Sequence, residues 1–190
     1  MDKPGASTTL FLRHYETALG EASDMHVYGS EAFATPFYVL QYSNVVPHGH
    51  LLLTAGLSDY AEQIGSRLEI ALTVDQYVDE LGDFLITALH FAVRQKLPIA
   101  EGFSLQGLSG VNATLANAIG KEAVYFTKLR VAPDRLSVVP DSDPRARVIG
   151  GVLISASENE YFLDHGAKAL ESKLTEAILT SPNIKRAPVV

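Results

Sequence analysis

Between residues 7 and 19 apolar and ring-bearing side chains recur at intervals of three and four: Leu10, Phe11, His14, Tyr15, Ala18 and Leu19. That period predicts an amphipathic helix, and Gly20 suits the position just past its end. From Phe33 to Tyr42 the chain is rich in aromatic and β-branched residues, with Pro36 near the start, which predicts a strand at an edge or entry position. His50 to Thr54 is a short apolar run that closes on the turn-rich Ala55-Gly56-Leu57-Ser58-Asp59. Residues 66–74 then alternate, with Leu68, Ile70, Leu72 and Val74 on one face and Arg67, Glu69, Ala71 and Thr73 on the other. A period of two predicts a strand with one face in the core.

A long helix is predicted over 77–96, with Asp75 as its N-cap and Tyr77, Leu81, Phe84, Leu85, Ala88, Phe91 and Ala92 as its buried stripe. Asp79, Glu80 and Asp83 fall in its first turns, where carboxylates complement exposed N–H groups. Residues 101–120 carry Gly102, Gly107, Gly110 and Gly120 without a clear period, and predict a long irregular connection of the kind that often carries function. Strands are predicted over 123–131 and 147–155, with Gly150-Gly151 marking a bulge or close packing, and a weaker one over 136–139. Asp141-Ser142-Asp143-Pro144 predicts a turn.

Ser157-Glu158-Asn159-Glu160 has the Ser-x-x-Glu form of a capping box, opening a last helix whose stripe is Phe162, Ala169, Leu170, Leu174 and Ile178. Gly166 inside it costs about 1 kcal/mol against alanine, which predicts a close helix–sheet contact there. Residues 181–190 predict a flexible C-terminal tail after a single domain over 1–180. Strands in runs, with helices between and after them, predict an α+β fold: a mixed, mostly antiparallel sheet covered by two or three long helices.

Composition narrows the function. The chain has 190 residues, 47% hydrophobic and 19% charged, which suits one domain with a sizeable core. It has no cysteine, which excludes disulfides, thiolate metal sites and thiol nucleophiles. No apolar run reaches the ~18 residues of a membrane-spanning helix. Leu10-Phe11-Leu12 is cut short by Arg13 and His14, so a cytoplasmic protein with no membrane contact is expected. Fifteen basic against 22 acidic residues give a net charge of −7, so no nucleic-acid partner is expected. The charge is uneven: Asp59, Glu62, Glu69, Asp75, Asp79, Glu80 and Asp83 face only Arg67, either as a solvated face or as a surface that steers a basic partner.

The searches for chemistry return little. No phosphate-cradling glycine pattern is present. Gly56-Leu57-Ser58-Asp59-Tyr60 lacks the second glycine of a nucleophile elbow, so Ser58 reads as a turn residue whose hydroxyl binds backbone. His48-Gly49-His50 puts two imidazoles on one side of an extended segment, but the other histidines are scattered, and no metal or cofactor is expected. Glu69, if its face is covered, needs a partner such as Arg67 or a backbone donor.

Taken in order, His50 to Tyr60 with its Gly56-Leu57-Ser58 turn, the Glu69-bearing strand Leu68 to Leu72, the long helix, the glycine-containing loop, the strand at 124–131 and Ile149-Gly150-Gly151-Val152 leading to Glu158, Glu160 and Gly166 resemble the suppressor-of-fused (SUFU) domain family over residues 33–175. The resemblance implies a mixed α+β domain with no established catalytic activity. Larger two-lobed members hold a transcription-factor peptide as an added strand clamped between lobes. At 190 residues no second lobe is expected, and single-domain microbial members are suggested to neutralise toxins. The leading expectation is therefore a non-enzymatic protein-binding domain, whose acidic residues Asp59, Glu62, Asp75, Asp79, Glu80 and Asp83 would suit a basic toxin. The alternative is an enzyme using Glu69, His48 or His50 near the 101–120 loop. A third is a homo-oligomer that pairs through a sheet edge.

Overall fold

Alternation of Leu68, Ile70, Leu72 and Val74 with Glu69 and Ala71 sets the centre of the molecule, because both sets are buried. The structure is a computed structural model and describes residues 3–29, 31–46, 49–76, 80–140, 142, 145–174 and 183–190. Its strands are β1 (Asp24–Tyr28), β2 (Phe37–Val46), β3 (Gly49–Ala55), β4 (Leu68–Val74), β5 (Ser104–Gln106), β6 (Ala123–Thr127) and β7 (Arg147–Ile154). Its helices are α1 (Ala6–Leu19), α2 (Ala61–Ile64), α3 (Glu80–Gln95), α4 (Leu108–Ile119), α5 (Pro133–Leu136), α6 (Ala156–His165) and α7 (Ala167–Lys173).

The strands form a single seven-stranded sheet in the order β1-β2-β3-β4-β7-β6-β5. Only β4 and β7 run parallel; the other pairs are antiparallel, so the sheet is mixed and mostly antiparallel, as the strand runs predict. One face carries Leu52, Ile70, Leu72, Val124 and Phe126 against α3 and α4. On the other face Phe11 and Tyr15 of α1, with Leu136 of α5, cover Leu40, Leu51, Leu53 and Val148. Leu170 and Leu174 cover Tyr125 and Ile154 at the β6–β7 end of that face. Each fully buried large side chain contributes about 1.5–3 kcal/mol. The twin glycines of β7 allow the sheet to pack closely: a Cβ on Gly151 would lie 3.3 Å from Ile70 and Val124, and one on Gly150 would lie 3.0 Å from the Lys128 carbonyl.

Several boundaries differ from the sequence expectation, each for a local reason. The 101–120 segment is ordered as β5 and α4: Gly107 and Gly120 take positive φ at its two ends, and Asn112 kinks the helix while its Oδ1 accepts the Leu115 N–H. The expected strand at 136–139 is the end of α5 followed by one bridge, Val138 to Arg147. The capping box sits two residues early: Ser155 Oγ accepts the Glu158 N–H, and Glu158 Oε2 accepts the Ser155 N–H at 2.8 Å. That leaves Glu160 exposed. Gly166 is not a close-packing site, since nothing lies within 4 Å of a Cβ there; its φ of +82° breaks the last helix into α6 and α7. Tyr77, Asp79, Asp141, Asp143, Pro144 and Ile178 lie outside the described residues.

The described part of the expected tail, residues 183–190, contacts the rest of the domain. Ile184 is buried, and its N–H reaches Asp75 Oδ1 at 3.0 Å. Asp75 is therefore engaged at the end of β4, where a helix N-cap was expected.

Candidate protein interface

Two buried carboxylates organise the residues that the sequence singled out. The first is Glu69. β3 and β4 pair as far as Leu53–Ala71 and then part, leaving the Ile70 N–H to be taken by Thr54 Oγ1 at 2.8 Å. The Glu69 side chain fills the gap. It accepts the Gly56 N–H at 2.8 Å, the Ser58 N–H at 2.9 Å and the Thr54 hydroxyl at 2.7 Å. The Gly56-Leu57-Ser58 turn is thus held by backbone donors on one carboxylate. Gly56 is required there: its φ is +125°, and a Cβ would lie 2.7 Å from the Pro36 carbonyl. Ser58 contributes its N–H, and its hydroxyl lies buried beside the carboxylate, not on backbone. Arg67 turns to Ser7 Oγ instead of Glu69. Burial pushes the Glu69 carboxyl above its usual pKa, and the hydrogen bonds from Ser58, Thr54 and Gly56 oppose that rise only in part.

The second is Glu158, wholly buried, which receives the guanidinium of Arg186 from the tail through both Nη1 and Nη2, the latter at 3.1 Å. The Val189 N–H adds a bond at 3.0 Å, and Lys121, itself buried, donates to the Arg186 carbonyl at 2.8 Å. Burial alone would raise the Glu158 carboxyl, but Arg186 and the Ser155 and Val189 N–H groups outweigh it and hold the pKa low. Burial and the neighbouring Arg186 charge push Lys121 down to about 8. Sequence reasoning missed this cluster, since nothing in spacing connects residue 121 or 158 with 186.

The acidic residues divide between contacts within the fold and exposed positions. Asp59 accepts the Ser7 N–H and the Thr8 hydroxyl at the start of α1. Asp75 and Glu69 are engaged as described, while Glu62, Glu80 and Asp83 are exposed and Asp79 is outside the described residues. Among the described residues, the candidate catalytic side chains Glu69 and His50 do not come together. His50 pairs with Val74 at one end of β4 and hydrogen-bonds Gln41 and Ser43, whereas Glu69 lies at the other end. His48 lies outside the described residues, and among those described no three His, Asp or Glu side chains converge as metal ligands.

The sheet edges are unlike each other. At β1 the Asp24 carboxylate accepts the Met25 N–H and pairs with His26 at 3.1 Å, which places charge along that border. At β5 the ladder uses Leu105 opposite Val124, flanked by bonds from Phe126 N–H to the Phe103 carbonyl and from Gly107 N–H to the Glu122 carbonyl. By antiparallel geometry the N–H and C=O groups of Ser104 and Gln106 point outward. Their side chains are held from the α6 side by Asn159, at 2.8 and 3.1 Å. On the α3 side two adjoining apolar grooves of about 270 and 380 Å³ border the strand, sharing Phe91, Leu105 and Gln106. Phe91 and Phe103 are 51% and 45% exposed there, so this edge, on which no other strand pairs among the described residues, has both outward main-chain groups and an apolar wall.

No family model and no curated protein matches the chain. Solved structures do. A crystal structure of a SUFU homologue from Neisseria gonorrhoeae FA 1090 superposes with a TM-score of 0.74 at 15% identity, over 97% of each chain. The fold is that of a suppressor-of-fused domain. A Sufu–Fu complex matches at a TM-score of 0.68 and 12% identity, over 98% of this chain and 93% of that one. Drosophila Suppressor of Fused matches at 0.67 and 12% identity, with all of this chain covering 52% of that protein. In this SUFU-like domain the turn glycine, Gly56, and the strand carboxylate, Glu69, form one structural unit.

Proposed function

We propose that this SUFU-like chain is a non-enzymatic protein-interaction domain of the cytoplasm that takes an extended segment of its partner as an added strand on β5. The observation that carries the reading is the open β5 edge, with outward groups on Ser104 and Gln106 beside a groove bearing Phe91 and Phe103. Main-chain bonds then supply affinity, and the groove selects apolar side chains at alternate positions of the guest. The Sufu–Fu complex supports a protein partner for this fold.

Gln106→Pro tests it. Proline removes the outward N–H while the Leu105–Val124 ladder stays intact, and edge positions tolerate proline. Capture of the partner from native extract is expected to fall about tenfold or more, through one lost hydrogen bond and the bulk of the ring. Equal capture by this variant defeats strand addition. Light scattering at two concentrations separates a foreign partner from self-pairing at the same edge.

Toxin neutralisation is the narrower form of this reading. It rests on the exposed carboxylates Glu62, Glu80 and Asp83, since Asp59 and Asp75 are engaged within the fold. Co-expression with the product of the adjacent reading frame is expected to restore growth, and reversing these three charges is expected to abolish the rescue. Rescue that survives the reversal rules out this acidic surface.

A further inference from the structure

A second concave site lies at the N-terminal end of β5, and its charge is opposite to that of the chain. It is a groove of about 470 Å³ lined by Glu101, Lys128, Leu129, Ser137, Val138, Arg145, Arg147 and Val148. Three cations share it with one carboxylate, in a chain of net charge −7. Among the described residues Glu101 pairs with Arg147, at 3.4 Å with both side chains partly exposed. Lys128 and Arg145 are exposed and have no ion pair among the described residues. Topology collects these cations: Lys128 follows the last residue of β6 and Arg147 is the first of β7, and those strands run antiparallel. The chain entering β5 passes the same end, because Gly102 N–H bonds the Phe126 carbonyl and Glu101 reaches Arg147.

We infer that this groove receives an acidic segment of the same partner, so that the guest combines an apolar strand for β5 with a cluster of Asp or Glu residues beyond one end of it. This rests on the strand-addition reading. A guest on β5 lies one strand spacing outside that edge, and the cations begin at the end of β6, one spacing further in. Two spacings are roughly 10 Å, or about three residues of extended chain. The acidic cluster therefore sits about three residues past the strand-forming stretch. Opposite charges at such a rim set orientation and speed association. They also distinguish this guest from one chosen by the apolar groove alone.

The test is selection of short random peptides by the intact protein, followed by affinity measurements on wild type, K128E/R145E and Gln106→Pro. Both basic residues are exposed, so the charge reversal leaves the core untouched, which circular dichroism verifies. The expected result is peptides with the stated spacing of apolar and acidic residues, each losing about tenfold or more in affinity to K128E/R145E. Peptides that depend on Gln106 but show no acidic cluster and bind K128E/R145E as well as wild type overturn this inference and leave strand addition standing. If no selected peptide depends on Gln106, both fall.

Discussion

Arg186→Met is expected to lower the unfolding free energy by about 3–5 kcal/mol, the usual cost of removing one partner from a buried ion pair. The substitution keeps an unbranched apolar side chain but strands the wholly buried Glu158 carboxylate, with the Ser155 and Val189 N–H groups as its remaining donors. It also loosens Lys121, whose ammonium is held by the Arg186 carbonyl. The signature is a shift of the guanidinium midpoint at neutral pH. Because Glu158 has a lowered pKa in the folded state, its contribution is present above the unfolded carboxyl range and is lost as pH falls through the folded value. Wild type and variant should therefore converge in acid. A loss under about 1 kcal/mol at neutral pH shows the tail contact to be ornamental, as exposed pairs commonly are.

The same cluster shows where the sequence stops being informative. Elements with a strong period were legible: the α1 stripe with Phe11 and Tyr15, and the alternation of β4. They dictate one helix layer and one strand whatever else surrounds them, but the alternation predicts one buried face where β4 is buried on both, because α1 covers the Glu69 and Ala71 side. The SUFU-like arrangement came from a resemblance carried by the ordered motifs, not from these periods. The shift of the capping box from Ser157 to Ser155 was not legible, because both Ser-Glu spacings satisfy the motif and only the end of β7 selects between them. Local glycines misled in a consistent way. Gly107, Gly120 and Gly166 mark the ends of helices through positive φ, whereas read singly they suggested a loop and a close contact. Arg186 was invisible because its partner lies 28 residues away in sequence. Most of the candidate interface was hidden too: β5 is a three-residue strand, too short for a period, and becomes an edge only through the order of the whole sheet.

Glu69→Ala is expected to cost about 3–4 kcal/mol, since unsatisfied buried donors cost roughly 1–3 kcal/mol each and local relaxation recovers part of that. The donors left are the Gly56 and Ser58 N–H groups and the Thr54 hydroxyl, all now on this carboxylate. The damage should spread along a specific path. Thr54 Oγ1 also takes the Ile70 N–H, and its carbonyl accepts the buried Tyr15 hydroxyl at 2.9 Å, so the turn, the β3–β4 split and α1 share one network. Hydrogen exchange should then show the largest loss of protection at Gly56, Ser58 and Ile70. Glu69→Gln keeps the shape and one acceptor oxygen and should restore much of the stability. The pH dependence separates a structural carboxyl from an inert one. Burial raises the folded-state pKa of Glu69, so the folded chain retains a proton that the unfolded chain releases. Stability from this group therefore falls as pH rises from the unfolded carboxyl value through the folded one, opposite in sign to Glu158. The Gln variant should lack that fall, and a wild-type profile identical to that of Glu69→Gln across this window contradicts the assignment.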